Sequence, residues 1–263
     1  MTPETLNAVA ARLLKARHEC TALASLGPDE SPATIEEGYA LQDALDSGWG
    51  EPIAGWKIGA TATAVQQKFA ISEPFAGPAY KPSCHRSPAA LPAAHFQHHL
   101  IESEFAFRFF RPVRPADAIS TRAEILDCVD ALVPTIEIVS PRLAELPFGR
   151  GPLAIADWAV NGALVTGTPV LDGWQALDLK SHEVRLLIDG GEAARGTGAL
   201  VLGDPVSALE WAVPPPPRRG RTTAAGQTIS PGTPPGSVQL PIGSTATADF
   251  GSLGQVSLTF TAS

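Results

Sequence analysis

The strongest structural signal in this chain is the segment HLIESEFAFRF at residues 99–109. Its residues alternate in character with a period of two, which predicts a β-strand. Three phenylalanines then fall on one face of the strand, and Glu102 and Glu104 fall on the other. Two carboxylates on the same face, two residues apart, repel each other unless a cation lies between them. The simpler interpretation is a solvated face of an edge strand, although the Glu face continues through apolar Ala106.

A third acidic residue of interest is Glu137, in the segment VPTIEIV at residues 133–139. Its neighbours Ile136 and Ile138 predict a buried strand, where a carboxylate is costly unless it is paired or bound to a metal. Glu102, Glu104 and Glu137 together would suit Mg²⁺ or Mn²⁺, which prefer oxygen ligands. An ion pair between Glu137 and Arg142 is the alternative.

Two further charged residues lie in apolar surroundings. Lys57 is enclosed in GWKIG at residues 55–59, a setting that suits an anion clamp or a proton-transfer group. A surface lysine whose stem lies along apolar neighbours is the competing interpretation. Asp157, in IADWA at residues 155–159, is similarly placed, with a turn or helix-capping role as its alternative.

The remainder of the chain predicts an α+β protein dominated by sheet. It has 263 residues, and 24 Gly with 25 Pro imply many turns and short strands. Residues 1–50 form a predicted helical region, with caps at Thr2 and Thr34, and residues 51–263 form the predicted sheet domain. One further helix is predicted from Thr121 until Pro134 stops it, and Pro214–Pro217 predict a surface loop.

Composition excludes several function classes. A net charge of −8 lacks the basic excess of a nucleic-acid-binding surface, so we expect no nucleic-acid partner. No apolar stretch reaches the length of a membrane span, and the N-terminal segment lacks the pattern of a signal peptide. The three cysteines are widely spaced, without any CxxC pattern. We therefore expect a cytoplasmic protein without membrane association.

Several blocks of the sequence resemble the hydratase/decarboxylase family of the fumarylacetoacetate hydrolase superfamily, of which 2-keto-4-pentenoate hydratase is typical. They keep the order of the family and extend from about residue 36 to residue 260. The blocks are GWKIGAT (55–61), ISEPFAG (71–77), IESEFAFRF (101–109), VPTIEIVSPR (133–142), IADWAVNGALVTG (155–167), GTGALVLGDPVSALEW (196–211) and ADFGSLGQVSLTF (248–260).

The resemblance implies a fumarylacetoacetase-like mixed β-roll with a helical N-terminal region. It also implies a homo-oligomer, and a lyase that acts on 2-oxo or 2-hydroxy dienoate acids in aromatic catabolism of the meta-cleavage type. One divalent cation per chain, Mg²⁺ or Mn²⁺, would be held by Glu102, Glu104 and Glu137. We expect Lys57 and Asp157 to be catalytic, and we expect the substrate to contact Phe75, Arg142 and Thr233.

The sequence departs from the family in the block that follows Pro74. Hydratases of the family usually carry an acid there, and this chain has Phe75. Water addition is still the expected reaction. The alternatives are decarboxylation of a 2-oxo-3-enedioate, C–C hydrolysis of an acylpyruvate, and a 2-oxo-acid-binding protein that has lost turnover.

Overall fold

The computed structural model describes residues 1–117, 119, 121–213 and 222–262, so the predicted loop at Pro214–Pro217 lies outside the described residues. Within these ranges the chain forms six α-helices and thirteen β-strands. The helices are α1 Pro3–His18, α2 Ile35–Trp49, α3 Thr63–Phe69, α4 Arg122–Leu126, α5 Gly151–Ala156 and α6 Pro205–Ala212. The strands are β1 Ile53–Gly59, β2 Phe75–Tyr80, β3 Cys84–Arg86, β4 Ala89–Pro92, β5 Leu100–Phe109, β6 Val129–Val139, β7 Asn161–Thr166, β8 Glu183–Ile188, β9 Gly191–Thr197, β10 Thr228–Ser230, β11 Val238–Gln239, β12 Thr245–Asp249 and β13 Gln255–Thr261.

The two long helices near the N-terminus begin at the predicted caps. The Thr2 hydroxyl accepts a hydrogen bond from the backbone N–H of Thr5, and the Thr34 hydroxyl accepts one from Glu37. Together α1 and α2 bury Leu13, Leu41 and Leu45 in a cluster that includes side chains from the sheet region. The division of the chain into residues 1–50 and 51–263 stays a prediction.

The strands of the described chain form two sheets, which sandwich the main apolar core. The larger sheet has the order β2-β1-β10-β5-β6-β7-β3, with β11 paired to β5, and the smaller has the order β4-β13-β12-β8-β9. Core side chains come from both sheets, for example Phe105 and Ile138 from the larger and Leu186 and Leu258 from the smaller. This mixed, sheet-rich architecture is the predicted α+β fold. None of the described helices has the length and apolar composition required of a membrane span.

The predicted helix from Thr121 to Pro134 is wrong over most of its length. Its capping box at Thr121 and Glu124 forms, but α4 ends at Leu126 and the chain enters β6 at Val129. Pairing with β5 along nearly its whole length, together with almost complete burial, favours the strand over the single turn and a half of helix that the cap supports. Pro134 is tolerated inside β6 because the ladder to β7 begins only at Thr135.

Candidate active site

Three glutamates converge on the side of the larger sheet that faces away from the main core. Glu102 of β5 lies directly opposite Glu137 of β6, and Glu104 follows two residues along β5 on the same face. Ligand oxygens of the three residues all lie within 4.8 Å of one another. The period-two spacing of the first pair and the antiparallel register thus bring together the carboxylates singled out in the sequence.

The glutamates are held by polar side chains from three other parts of the chain. Ser230 at the end of β10 donates a hydrogen bond to Glu104, and Ser237 donates one to Glu102. The amide Nδ2 of Asn161 donates to Oε1 of Glu137 at 3.0 Å. Glu104 and Glu137 are completely buried, and each keeps one oxygen without a hydrogen-bond partner among the described residues.

Lys57 lies against the same cluster. Its strand β1 runs parallel to β10, with Lys57 in register with Ser230, and its Nζ lies 3.0 Å from Oε1 of Glu137. The residue is only 2% exposed, so the alternative of a surface lysine is wrong. The alternative ion pair between Glu137 and Arg142 is also wrong, because Lys57 is the partner of Glu137 within the described chain.

The pKa values of Glu137, Glu104 and Lys57 all lie above their ordinary values. Burial raises the pKa of Glu137 to about 7, although the nearby Lys57 lowers it. Burial, together with repulsion from Glu137 and Glu102, raises the pKa of Glu104 well above its ordinary value. For Lys57, burial by itself lowers the pKa, but attraction to the three carboxylates outweighs it and the pKa lies above its ordinary value.

The arrangement fits a divalent cation. Three carboxylates share one ammonium group, so the cluster carries more negative charge than its lysine can balance. The two unpartnered buried oxygens belong to Glu104 and Glu137, and hard divalent cations take oxygen ligands of this kind. A cation held by Glu102, Glu104 and Glu137 would relieve the repulsion and give those oxygens a partner.

Asp157 lies outside this cluster. It is followed by three residues with positive φ, Trp158, Ala159 and Val160, a left-handed turn that is costly for side chains with a Cβ. The buried carboxylate of Asp157 accepts hydrogen bonds from the backbone N–H of Arg142 and, at 3.3 Å, from Nη2 of Arg17. It forms no ion pair with Lys57 within the described residues. Its contacts are those of a residue that positions the turn.

The three predicted substrate contacts lie in different places. Phe75 opposes Gly59 across β1 and β2, on the sheet face of Lys57, and packs edge-on against Phe69 with ring centroids 5.5 Å apart. Its apolar cluster includes Val139, two residues beyond Glu137. Phe75 therefore forms part of an enclosed apolar wall beside the acidic cluster.

Thr233 lies in the loop at residues 231–237 between β10 and β11. Ser230 and Ser237, which bracket the loop, are the residues that bond Glu104 and Glu102, so both ends of the loop are attached to the acidic cluster. The Thr233 hydroxyl donates to the carbonyl of Gly236 at 3.3 Å. This attachment keeps Thr233 on a loop beside the candidate site.

Arg142 is directed elsewhere. Its Nη2 donates to the carbonyl of Ser140 at 2.6 Å, and its Nη1 donates to that of His95 at 3.4 Å. The guanidinium faces a separate cavity whose lining includes none of the three glutamates or Lys57. We therefore do not assign Arg142 to the substrate of the acidic cluster.

Sequence reasoning missed the residues that orient the carboxylates. Ser230, Ser237, Asn161 and Arg17 come from segments far apart in the chain, and no local spacing links them to residues 102–137. Arg17 Nη2 donates to the backbone carbonyl of Asn161 at 3.1 Å, so α1 also supports the residue that orients Glu137. Only the small polar residues at the ends of a Gly- and Pro-rich loop hinted that residues 230–237 could lie beside a site.

Comparisons with known proteins give relatives of nearly full length. No family model matches the chain. The chain is 28% identical over 236 residues to 2-keto-4-pentenoate hydratase of Paraburkholderia xenovorans, covering 88% of this chain and 86% of the relative. It is 27% identical over 261 residues to 2-oxo-hept-4-ene-1,7-dioate hydratase of Escherichia coli, covering 96% of each chain.

A solved structure with the same fold is 4-oxalocrotonate decarboxylase from Pseudomonas putida G7, complexed with magnesium and adipate. The TM-score is 0.89 at 23% identity, and the match covers 99% of this chain and 98% of that one. The fold is therefore the predicted fumarylacetoacetase-like one. The chain is similar over nearly its whole length to named hydratases, which confirms the resemblance to the hydratase/decarboxylase family.

Proposed function

We propose that this protein is a divalent-metal-dependent lyase that adds water to 2-oxo or 2-hydroxy dienoate acids in the catabolism of aromatic compounds. The observation that carries the proposal is the convergence of Glu102, Glu104 and Glu137 beside buried Lys57. The relatives named as hydratases, which match over nearly their whole length, support water addition as the reaction.

Glu102, Glu104 and Glu137 are the proposed ligands of the cation, which is Mg²⁺ or Mn²⁺. When bound there, the cation would act as a Lewis acid that polarises the 2-oxo group of the substrate. The magnesium in the decarboxylase of the same fold supports a divalent cation of this class. Ser230, Ser237 and Asn161 orient the three carboxylates through their hydrogen bonds.

Lys57 is the proposed proton-transfer group. Its raised pKa keeps the side chain protonated near neutral pH, so it can donate a proton to the dienol carbon of the substrate. Glu137 lies 3.0 Å away and holds the ammonium group in place. The neutral amine that remains after donation can take up the proton released by the attacking water. Phe75 supplies an apolar wall that limits water, and Thr233 is the proposed polar contact to the substrate.

Decarboxylation is the second candidate, and Phe75 is the observation that favours it. Hydration requires a group that deprotonates the attacking water, whereas loss of CO₂ depends mainly on an electron sink and on an apolar environment for the departing carboxylate. In the described residues, Lys57 forms an ion pair with Glu137 and with no acid outside the cluster. Buried Phe75 supplies apolar surface close by.

The test mixes the enzyme and Mg²⁺ with a 2-hydroxydienoate and follows the ultraviolet absorbance of the diene. We expect the absorbance to disappear and the product to have gained one water. A dicarboxylic substrate is run in parallel, and a product that has lost CO₂ would select the decarboxylase instead. Glu137→Gln is the matched control, because it removes the charge with little change in shape. Unchanged absorbance with both substrates would contradict the lyase assignment and favour a binding protein.

We further propose that the protein works in the cytoplasm as a homo-oligomer, as its family resemblance implies. Its small-molecule substrate is a 2-oxo acid.

A further inference from the structure

A second site of interest is a cavity beside β7, which we call the second cavity. Its volume is about 360 Å³, and Ala163 forms part of its wall. Ala163 pairs with Ile138, whereas the next residue, Leu164, pairs with Glu137. Because successive strand residues point to opposite faces, Ala163 points away from the face that carries Glu137. The lining of the cavity contains neither Lys57 nor any of the three glutamates.

The wall of this second cavity carries unbalanced positive charge. Arg17 and Arg142 both line it. The side chain of Arg17 is 8% exposed, and Arg142 as a whole residue is 3% exposed. Asp157 forms an ion pair with Arg17 at 3.3 Å and also attracts Arg142, with which it forms no side-chain ion pair within the described residues. One carboxylate thus faces two buried guanidinium groups, and the excess positive charge makes the site complementary to an anion.

Four buried hydrogen-bond donors belong to residues of the same wall. The Nε of Arg17, the Nε of Arg142 and the indole nitrogens of Trp49 and Trp158 are buried and have no acceptor among the described residues. All four of these residues line the cavity. Buried donors in folded proteins are normally satisfied, but these four atoms have almost no accessible surface, so the preference for an anion rests on the charge of the two guanidinium groups.

The rest of the wall is aromatic and apolar. The rings of Tyr80 and Trp158 lie 4.6 Å apart, those of Trp49 and Trp158 lie 5.3 Å apart, and the guanidinium of Arg17 lies 4.0 Å from the centre of the Trp158 ring. Leu91 and Phe96 complete the apolar surface. Such a wall suits a flat apolar body better than a fully hydrated inorganic anion.

We propose that this cavity is a second ligand site, which binds a small organic carboxylate with a flat apolar body. The carboxylate lies at Arg142 and Arg17, and the body lies among the aromatic rings. The site also touches the catalytic region indirectly, because Arg17 donates to the carbonyl of Asn161, whose side chain donates to Glu137. The proposal does not depend on which reaction the acidic cluster performs.

The test compares benzoate with benzamide, which has a similar shape and no charge. Cys20 lines the cavity and is partly exposed, so its rate of alkylation by iodoacetamide reports occupancy in the wild-type protein. We expect benzoate to slow alkylation of Cys20 and to change tryptophan fluorescence, with and without Mg²⁺, and benzamide to do neither. In the Arg142→Met variant, the affinity for benzoate should fall by about tenfold or more, since a charge-assisted hydrogen bond is lost.

The wild-type measurements decide the proposal even if the variant does not fold. Equal protection by benzamide would reduce the site to an apolar cavity, and equal protection by inorganic phosphate would reduce it to a site for any anion. Protection that requires Mg²⁺ would mean that benzoate binds at the acidic cluster. Each of these three results, or no protection at all, overturns the proposal.

Discussion

Glu137 is the residue on which the candidate active site depends. It faces Glu102 across the β5–β6 ladder, pairs with Lys57, and accepts a hydrogen bond from Asn161. Removing one partner of a buried ion pair typically costs about 3–5 kcal/mol, because the remaining charge is left uncompensated. Conservative substitutions that keep the shape of residue 137 are therefore the informative ones.

We predict that Mg²⁺ stabilises the protein more at about pH 8 than at about pH 6. Folding raises the pKa of Glu137 from 4.5 to about 7, so in the metal-free protein this group contributes stability at low pH that is lost as the pH rises through 7. A cation restores that stability, and at about pH 6 it must first displace a proton, which weakens its apparent affinity by about tenfold. Thermal unfolding with and without Mg²⁺ at the two pH values measures the effect.

The control for this prediction is Glu137→Gln, which cannot titrate at that position. Its Mg²⁺-dependent shift in Tm should be small at both pH values. A wild-type shift that is as large at the lower pH as at the higher would contradict the raised pKa of the cluster.

Individual site residues were predictable where local spacing sets geometry. Glu102 and Glu104 share a face because they are two residues apart in a strand, and the apolar flanks of Glu137 and Lys57 signalled their burial. Asp157 had a similar local signal but belongs to a different cluster. It precedes the left-handed turn at residues 158–160, which no pattern of residue types in that segment indicated.

At the scale of elements, the loop at residues 231–237 connects two ligand-orienting serines. Gly232 has φ +107, and a Cβ placed there would lie 2.2 Å from the hydroxyl oxygen of Thr61. Gly236, in the same loop, also has a positive φ of +82, but a Cβ there would meet nothing within 4 Å. The two glycines separate the cost of backbone conformation from the cost of close packing.

We predict that Gly232→Ala destabilises the protein by about 3 kcal/mol or more, because it combines backbone strain with a steric clash. The matched Gly236→Ala variant should lose only about 1–2 kcal/mol, the cost of a positive φ alone. Denaturant unfolding measures both values. In the folded fraction, Gly232→Ala should also raise the KM, since Thr233 follows it directly. Equal destabilisation by the two variants would show that the contact with Thr61 is unimportant.

The strand β6 illustrates where prediction of elements failed. The capping box at Thr121 correctly indicated the start of a helix, but residues 125–132 also fit an apolar strand. Pairing with β5 along ten residue positions decided the outcome, and a pairing partner twenty or more residues away is not visible in a local window. The helices capped at Thr2 and Thr34 have no such competitor, and both formed where they were predicted.

At the scale of the whole molecule, the resemblance of ordered sequence blocks predicted the fold correctly. The two-sheet arrangement itself could not be derived from periodicity, because strand order depends on contacts between segments distant in sequence, such as β1 with β10. This arrangement puts the glutamates on one side of the larger sheet, while Ala163, on the second cavity, faces the other.

The most direct test of the account is a calorimetric titration of Mg²⁺ into the metal-free protein, with turnover measured on the same samples. Wild-type protein should bind about one ion per chain, and Glu137→Gln should lose both binding and turnover. Lys57→Met should keep or increase its Mg²⁺ affinity, because a competing positive charge is gone, while kcat falls by about a hundredfold or more. Unchanged Mg²⁺ binding in Glu137→Gln, or undiminished turnover in Lys57→Met, would contradict the proposed centre.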